Sequence, residues 1–366
     1  MEKNKIGCIV SEKEKELEDS VKNGDAAACM KEKETEIKMP PLLTVTPSPH
    51  IKTRENTASI MIDVLIALTP AFLYGVYIFG LRALWIALVS VVSSVGFEAL
   101  SEFILHKKVT VSDCSAAVTG ILIAMNLPVS VPLWMPFVGG FFAIVVVKQL
   151  FGGIGKNFVN PALSARVFLL SWASEMTRFT YPFSRFSEFS MNAADSDIIA
   201  SATPLASLKN GVLPYDSITD MIFGKCAGCI GEVSSILLLA GGIYLLIRRV
   251  ITWHIPVSYL GTVAIITFIF PKNGADNLSF MLYELFAGGL ILGAVFMATD
   301  YATSPVTPRG RLIYGAGCGF ITVLIRYFGA YPEGVSFSIL IMNLLVWYID
   351  KAAMPRRFGG VGNAKK

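Results

Sequence analysis

Ten apolar segments dominate the chain and constrain it to a bundle of helices in a membrane. They lie near residues 60–80, 82–105, 113–127, 133–149, 158–172, 233–248, 252–270, 279–298, 312–328 and 335–350. A straight spanning helix needs about 20 apolar residues, and several of these segments, notably 113–127 and 158–172, are shorter. Because Pro or Gly bounds the short segments, we expect broken helices that line a site. The sequence therefore predicts an all-α membrane protein with about ten transmembrane helices.

The charged residues are concentrated at the N-terminus. Residues 1–38 hold ten acidic residues and eight lysines, mixed at close spacing with few large apolar side chains. Such a segment cannot bury enough apolar surface to offset its chain entropy. We predict a disordered cytoplasmic tail over residues 1–54, which a partner could also use as a docking arm. A membrane domain over 55–351 and a basic cytoplasmic tail over 352–366 follow. The net charge is only +4 and no basic groove carries interleaved aromatic residues, so nucleic acid is excluded as a partner.

The basic residues of the short loops give an orientation. With the N-terminus in the cytoplasm and ten spans, each short inner loop or its margin holds two basic residues: Lys107 and Lys108, Lys148 and Lys156, Arg248 and Arg249, and Arg309 and Arg311. The short outer loops hold at most one basic residue each: Arg82, Lys272 and Arg326. This asymmetry follows the positive-inside rule. It predicts that both termini are cytoplasmic and that residues 173–232 form a long outer loop.

A weak internal repeat divides the spans into two halves. Leu127-Pro128 corresponds to Phe270-Pro271, and Asn160-Pro161 corresponds to Ser304-Pro305. A Gly-Gly pair lies between the two markers of each half, at Gly139-Gly140 and at Gly288-Gly289. The pattern favours two five-helix halves.

Ionisable residues within apolar segments indicate either function or pairing, because an unpaired charge in hydrocarbon is costly. Four carboxylates qualify: Asp63, Glu98, Glu102 and Glu284. They could line an ion path, or they could lie near helix ends and pair with Lys and Arg of a partner subunit. Cys226-Ala-Gly-Cys229 has no second pair, so chance or a labile disulfide is favoured over a metal site.

Two loops rich in Gly, Asn and Pro form candidate binding sites. The first reads Gly152-Gly-Ile-Gly-Lys-Asn-Phe-Val-Asn160-Pro-Ala and precedes Arg166; the second runs from Phe296 through Asp300 and Thr303 to Arg311. Glycines permit close backbone approach, and amides both donate and accept hydrogen bonds. A planar ring with carbonyl and N–H edges would suit such a site. The three-residue spacing of Asn157 and Asn160 would put both amides on one face if the loop is already helical. Tight turns between helices are the alternative.

Several motifs together resemble one family. They are Asp63-Val-Leu-Ile-Ala-Leu-Thr-Pro70-Ala, Val118-Thr-Gly-Ile-Leu-Ile-Ala, Lys148-Gln-Leu-Phe-Gly-Gly-Ile-Gly, Asn160-Pro-Ala-Leu, Ser201-Ala-Thr-Pro-Leu-Ala206, the stretch from Asp300 to Arg311, and Ala330-Tyr-Pro-Glu-Gly334. They resemble the D subunit of the Rnf complex, which is related to the B subunit of the sodium-pumping NADH:quinone oxidoreductase. The resemblance runs from about residue 55 to residue 351.

The resemblance implies an electron-transfer subunit of an ion-pumping complex that works between reduced ferredoxin and NAD. It implies FMN joined through its phosphate to a threonine by a flavin transferase, and a non-covalent riboflavin. The FMN position falls on Thr203, with Asp197 six residues before it, while Ala200 and Ser201 stand where the family has Ser-Gly. Asn157, Asn160, Arg166, Asp300 and Thr303 are the further candidate cofactor-binding residues.

The partners implied are the other Rnf subunits, including a second covalent-FMN subunit and iron–sulfur membrane subunits, together with membrane lipid. Coupled translocation of Na⁺ or H⁺ is implied as well. The alternatives are the quinone-reducing relative, a small-solute channel or transporter, for which broken helices are equally suitable, and a scaffold subunit without flavin.

Overall fold

The computed structural model describes residues 56–106, 110–179, 203–209, 214, 217–224, 226–232, 234–272, 276–329 and 331–354. This part of the chain is helical and contains no β-strand, which confirms the predicted all-α class. The predictions for residues 1–54, for Asp197 and Ser201, and for the basic residues after Met354 lie outside the described residues.

The helices follow one another with short connections over most of the described chain. In chain order they are α1 (Thr57–Phe79), α2 (Leu81–Ile104), α3 (Ser115–Met125), α4 (Trp134–Phe141), α5 (Pro161–Leu169), α6 (Ala173–Met176), α7 (Pro204–Lys209), α8 (Ile218–Ile222), α9 (Ser235–Ile247), α10 (His254–Ile269), α11 (Asn277–Phe286), α12 (Leu290–Leu292), α13 (Pro308–Phe328) and α14 (Val335–Ala353). Single 3₁₀ turns lie at Val111–Asp113, Leu170–Trp172 and Ile230–Glu232. Two π-helical segments, Phe142–Gln149 and Gly293–Met297, continue α4 and α12.

The lengths of the apolar helices fall into two classes. Helices α1, α2, α13 and α14 are long and apolar enough to cross a membrane, and α11 with Leu290–Met297 makes a fifth such element, bent by 64°. Four apolar helices are shorter: Ser115–Met125, Trp134–Gln149, Ser235–Ile247 and His254–Ile269. Large apolar side chains are exposed on outward faces, such as Phe328 at 82% and Val92 at 62%. The predicted short and broken helices are present, and the total of ten spans stays a prediction.

Two of the short helical elements form the centre of the described bundle. In α3, nine of the 11 residues are buried, and every residue from Leu290 to Met297 is buried. A helix that is apolar on all sides must be surrounded by other elements. At their C-terminal ends, carbonyl groups meet side chains: Nδ2 of Asn126 donates to the Leu122 carbonyl over 2.6 Å, and Nδ2 of Asn160 donates to the Met297 carbonyl over 3.1 Å.

The close packing of α3 against α2 depends on Gly120. A Cβ atom at this position would lie 2.7 Å from Cα of Val91 and 2.9 Å from the carbonyl oxygen of Ser90. The Ser90 hydroxyl donates a hydrogen bond to the Gly120 carbonyl over 2.7 Å. Small residues let helices approach closely where lipid supplies no hydrophobic driving force. Gly120 therefore sets the distance between the two backbones.

We expect Gly120→Ala to destabilise the protein, because the new methyl group would meet backbone atoms that cannot rotate away. The free energy of unfolding should fall by roughly 1–3 kcal/mol, as for other overpacked sites. Gly96→Ala in α2 is the matched control, since no atom lies within 4 Å of the place that its Cβ would take, and it should be neutral or slightly stabilising. Detergent unfolding curves of the two variants test this, and equal stabilities would contradict the packing argument.

Charged side chains within the helices pair inside this chain. Glu98 contacts Lys148, Glu284 contacts Arg326 at 2.7 Å, and Asp63 contacts Arg248 at 3.0 Å. Pairing with a partner subunit is therefore not needed for these three carboxylates. The sequence placed Lys148 and Arg326 in or beside solvent-exposed loops, and this is wrong, because they are 3% and 2% exposed. Each is buried because a carboxylate on a neighbouring helix neutralises it.

Candidate functional site

A cavity of about 540 Å³, hereafter the main cavity, lies where the two Gly- and Asn-rich loops meet. Asn157 and Asn160 from the first loop and Asp300 from the second all line it. Much of its wall is apolar, formed by Ile60, Met61, Val64, Val118, Leu122 and Phe296. Cavities of this size with apolar walls and few polar groups are typical of small-molecule sites.

Asn160 has a structural role at the edge of this cavity. It is the N-cap of α5, and its side-chain oxygen accepts from the backbone N–H groups of Ala162 at 3.0 Å and Leu163 at 3.2 Å. Its Nδ2 donates to the carbonyl oxygen of Met297 over 3.1 Å. Pro161 occupies the first helical position, where a missing N–H costs nothing. Both polar atoms of Asn160 are thus already engaged with protein.

Asn157 lies before the helix, because α5 begins at Pro161. The predicted helical face shared by Asn157 and Asn160 is therefore wrong, and a loop conformation brings both residues to the cavity. Gly152, Gly153 and Gly155 adopt positive φ angles in this loop, a conformation open to glycine but strained for other residues. Nδ2 of Asn157 donates to the Val159 carbonyl over 3.3 Å.

On the second loop, Thr303 supports Asp300. The Thr303 hydroxyl donates to Oδ2 of Asp300 over 3.2 Å. Thr303 is buried and is not part of the cavity wall, so it acts through Asp300. Burial raises the pKa of the Asp300 carboxyl above its ordinary value, and the hydrogen bonds from Thr303 and two backbone N–H groups partly oppose that rise.

Arg166 does not line the main cavity, and this corrects its predicted place beside the Asn157 loop. It projects from α5 into a buried group that we call the Arg166 cluster, which comprises Arg166, Asn126, Cys229, Glu232 and Glu333. The guanidinium contacts Glu333, donates to Oδ1 of Asn126 over 2.7 Å and lies 3.7 Å from Sγ of Cys229. Arg166 follows the N-cap of α5 by six residues, a rise of about 9 Å along the helix axis.

Thr203 lies in a small cleft beside the Arg166 cluster. Its side chain is 7% exposed, and its hydroxyl accepts a 3.3 Å hydrogen bond from the backbone N–H of Ala206. Glu232, Glu333 and Cys226 line the same cleft, whose free volume is about 10 Å³. Leu205 and Leu208 hold α7 in place by packing against Met221 and Phe280.

The Arg166 cluster holds its own cation. Cys229, Glu232 and Glu333 bring a sulfur and two carboxylate oxygens within 4.8 Å of one another, but the Arg166 guanidinium contacts both Glu333 and Cys229. Cys229 is free, so no disulfide joins it to Cys226. Burial raises the pKa of the Cys229 thiol well above its usual value. The C-x-x-C motif therefore includes one thiol, that of Cys229, which is buried inside the Arg166 cluster.

Glu232 is the titratable member of the Arg166 cluster. Burial and the charge of Glu333 raise the pKa of its carboxyl from 4.5 to about 7, while Arg166 and the backbone N–H of Cys229 oppose the rise. Between these values the folded protein holds a proton that the unfolded chain has released. Stability therefore falls as the pH rises through this window.

We expect Glu232→Gln to flatten that pH dependence, because glutamine does not titrate. Unfolding temperatures of wild type and variant, measured at a pH of about 5 and again at about 8, test this. The unfolding temperature of the variant should exceed that of wild type by more at the higher pH than at the lower pH. Parallel curves would show that Glu232 titrates normally. Glu175→Gln, at an exposed ion pair, is the control.

Hydrogen bonds connect the main cavity to the Arg166 cluster. Asn160 donates to the carbonyl of Met297, Asn126 donates to the Met297 sulfur over 3.6 Å, and Asn126 accepts from Arg166. Met297 ends the second π-helical segment. Such segments interrupt regular helix bonding and are frequent at functional sites. One short helix and one π-helical segment thus fix the relative position of the two sites.

Comparison with known proteins decides the family. The family model described as "NQR2, RnfD, RnfE family" matches residues 44–359. The chain belongs to this family. It is 47% identical over 321 residues to the D subunit of the Na(+)-translocating ferredoxin:NAD(+) oxidoreductase complex of Acetobacterium woodii, covering 87% of this chain and 95% of that relative. It is 38% identical over 330 residues to the D subunit of the proton-translocating ferredoxin:NAD(+) oxidoreductase complex of Clostridium ljungdahlii. That match covers 87% of this chain and 96% of the relative.

A less similar relative also matches this chain over most of its length. The D subunit of the ion-translocating oxidoreductase complex of Escherichia coli is 35% identical over 344 residues, covering 86% of this chain and 98% of that relative. The NQR2, RnfD, RnfE family membership confirms the resemblance drawn from the sequence motifs. These relatives are named as subunits of multi-subunit oxidoreductases.

Sequence reasoning missed four residues of these sites: Lys148, Asn126, Glu232 and Glu333. For Lys148 a signal existed, because the intramembrane carboxylate Glu98 requires a cationic partner. Glu333 lies in the Ala330–Gly334 motif, whose composition indicated no role for it. Asn126 and Glu232 carried no distinguishing spacing.

Proposed function

We propose that this chain is the D subunit of an Rnf-type ion-translocating ferredoxin:NAD oxidoreductase. In this proposal it relays electrons through FMN on Thr203 and through a riboflavin in the main cavity, coupled to movement of Na⁺ or H⁺. The main observation in support is that two separate loops of a redox-family chain meet at one cavity. The names of the relatives support the assignment to the complex.

The main cavity fits a riboflavin-sized molecule. Its volume of about 540 Å³ lies within the usual range of roughly 300–1,000 Å³ for small-molecule sites. Apolar side chains would contact the ring faces, and Asn157, Asp300 and Lys148 would meet the polar edges. When bound, the flavin supplies the electron chemistry. The protein orients the ring and excludes water from it.

Thr203 fits the FMN attachment by its chemistry. Its hydroxyl oxygen can form the phosphoester when a transferase delivers FMN from its dinucleotide. A cleft of about 10 Å³ holds neither phosphate nor ring. The proposal therefore requires that α7 separates from Met221 and Phe280 during attachment, and that the ring lies outside the cleft afterwards. Asp197 and Ser201 belong to the proposed recognition sequence.

The proposed membrane arrangement has ten spans in two five-helix halves with both termini in the cytoplasm. The Lys/Arg asymmetry supports it when the buried Lys148 and Arg326 are left out of the count, because the other inner loops still hold more basic residues than the outer loops. The Thr203 cleft then faces outward and the main cavity faces inward, in a prokaryotic inner membrane. The proposed partners are the other Rnf subunits, including a second covalent-FMN subunit and iron–sulfur membrane subunits, and a flavin transferase.

The flavin content of the isolated chain tests this proposal. The chain is co-expressed with its transferase, purified, and precipitated with acid, and flavin is then measured in the supernatant and in the pellet. We expect free riboflavin in the supernatant and protein-bound FMN in the pellet, each in an amount equal to the chain. Absence of flavin from both fractions would overturn the proposal and favour a channel or a scaffold subunit.

A further inference from the structure

Lys148 is the one cation among the described residues that line the main cavity, and Asp300 is the one carboxylate. We propose that Lys148 binds the electron-rich carbonyl edge of the molecule held there and stabilises its reduced form. The inference rests on the proposed flavin function of this cavity. It assigns a positioning role to a residue of the π-helical segment Phe142–Gln149.

The ammonium group has a hydrogen available for a ligand. Nζ of Lys148 contacts Oε1 of Glu98 and donates to the Ser115 hydroxyl over 2.7 Å. An ammonium carries three N–H donors and no acceptor. The hydrogen bonds within the described residues use two of them. Ser115 lines the same cavity as Lys148, so the ammonium is held at the cavity wall by one of its own partners.

The network behind Lys148 fixes its position. Glu98 is 1% exposed, and its other oxygen, Oε2, has no hydrogen-bond partner in the described residues. Nε2 of Gln149 lies 3.5 Å from Oε1 of Glu98 and 3.5 Å from Oε1 of Glu102. A lysine is retained in such a place only when its charge is compensated. Glu98 supplies that compensation on the side away from the ligand.

A fixed buried charge acts on whatever redox group occupies the cavity. A flavin held in the main cavity would gain negative charge on reduction, and its electron donor would be oxidised by the same number of electrons. No bond forms or breaks, and Lys148 keeps its proton. Because the local dielectric is low, an ammonium at the wall stabilises the charged form more than the neutral one. Lys148 therefore raises the midpoint potential of the cavity flavin.

The test compares riboflavin binding in the oxidised and in the dithionite-reduced states, using the purified full-length chain. Lys148→Met removes a charge-assisted hydrogen bond to the ligand. It should weaken the binding of reduced riboflavin roughly tenfold more than the binding of oxidised riboflavin. Dithionite reduces riboflavin by two electrons, so this tenfold change corresponds to a midpoint potential lower by about 30 mV for the two-electron couple. Lys148→Arg should keep most of the wild-type ratio between the affinities for reduced and oxidised riboflavin. Lys156→Met, at an exposed position in the following loop, is the matched control.

Lys148→Met leaves Glu98 buried without its cation, so the variant could fail to fold. The double variant Glu98→Gln/Lys148→Met removes both charges and keeps the test valid. A ratio of the two affinities in Lys148→Met equal to that of wild type, or a ratio in the double variant equal to that of Glu98→Gln, which keeps the lysine, would overturn the role of Lys148 and leave the flavin site intact. Failure of the wild-type chain to bind riboflavin would overturn both the flavin site and this inference.

Discussion

A Thr203→Val variant is expected to fold and insert but to carry no covalent flavin. Valine has nearly the volume of threonine and removes only the hydroxyl oxygen that forms the phosphoester. The fold should persist, because the lost hydroxyl accepts one long hydrogen bond of 3.3 Å from Ala206. The loss of this helix cap costs about 1 kcal/mol. The measurement is in-gel fluorescence under ultraviolet light, with the chain co-expressed with its transferase. We expect the fluorescent band of the wild-type chain to be absent in the variant.

Neighbouring hydroxyls provide the matched controls for Thr203→Val. Ser207→Ala changes α7 itself, and Thr219→Val changes the short helix α8. Both variants should keep full fluorescence, because the proposed attachment depends on the recognition sequence around Thr203 and not on the proximity of a hydroxyl. Persistent fluorescence in Thr203→Val would place the flavin elsewhere, and Ser201 would be the next residue to replace.

The burial of Thr203 adds a condition on the order of events. The proposed attachment requires access to Thr203, a residue that is 7% exposed and lines a narrow cleft. The transferase must therefore act before α7 packs against Met221 and Phe280, or on a form in which this contact is open. Flavinylation should be faster for chain that is still being assembled than for purified, folded chain.

Much of the fold could be predicted because it depends on local composition. Apolar segments with Pro or Gly at their ends predicted helices, and the short segments 113–127 and 158–172 correspond to α3 and α5. The Gly-Gly pair of each half precedes a π-helical segment, a conformation that the sequence did not indicate. Such segments depend on which carbonyl groups side chains from other helices engage, and this is a tertiary property.

The candidate site was harder to predict for the same reason. The two loops around Asn157 and Asp300 could be singled out by composition, and the structure places both at the main cavity. Because Arg166 follows the first loop closely in sequence, the pattern predicts the same site for it. Six residues of helix carry it to the Arg166 cluster instead. Sequence proximity does not give the distance along a helix axis, which only the start of the helix at Pro161 defines.

Buried ion pairs are also hard to predict from the sequence. Lys148 and Arg326 each stand near the end of an apolar segment, where a loop cation and a buried cation look alike in sequence. The choice between the two depends on a carboxylate from another helix. Glu98 and Glu284 provide these carboxylates, 50 and 42 residues away along the chain.

Arg326 should have the largest effect on stability of the residues outside the proposed flavin sites. It binds the end of the first part, α11, of the bent element that breaks at Gly288, where φ is +69°. Its guanidinium donates to Oε2 of Glu284 over 2.7 Å and to the carbonyl oxygens of Glu284 at 2.5 Å and Ala287 at 3.0 Å. These carbonyls end α11 and have no further helical partners because the helix stops there.

We expect Arg326→Met to lower the free energy of unfolding by about 3–5 kcal/mol, because it leaves the Glu284 carboxylate buried without a cation. The double variant Arg326→Met/Glu284→Met should recover part of this loss. Arg178→Met is the matched control, since its pair with Glu175 at 3.7 Å is 62% and 30% exposed, and pairs of this kind contribute at most about 1 kcal/mol. Denaturant titrations in detergent give all three values. A loss in Arg326→Met no larger than that in Arg178→Met would show that the bent element is stable without its buried arginine.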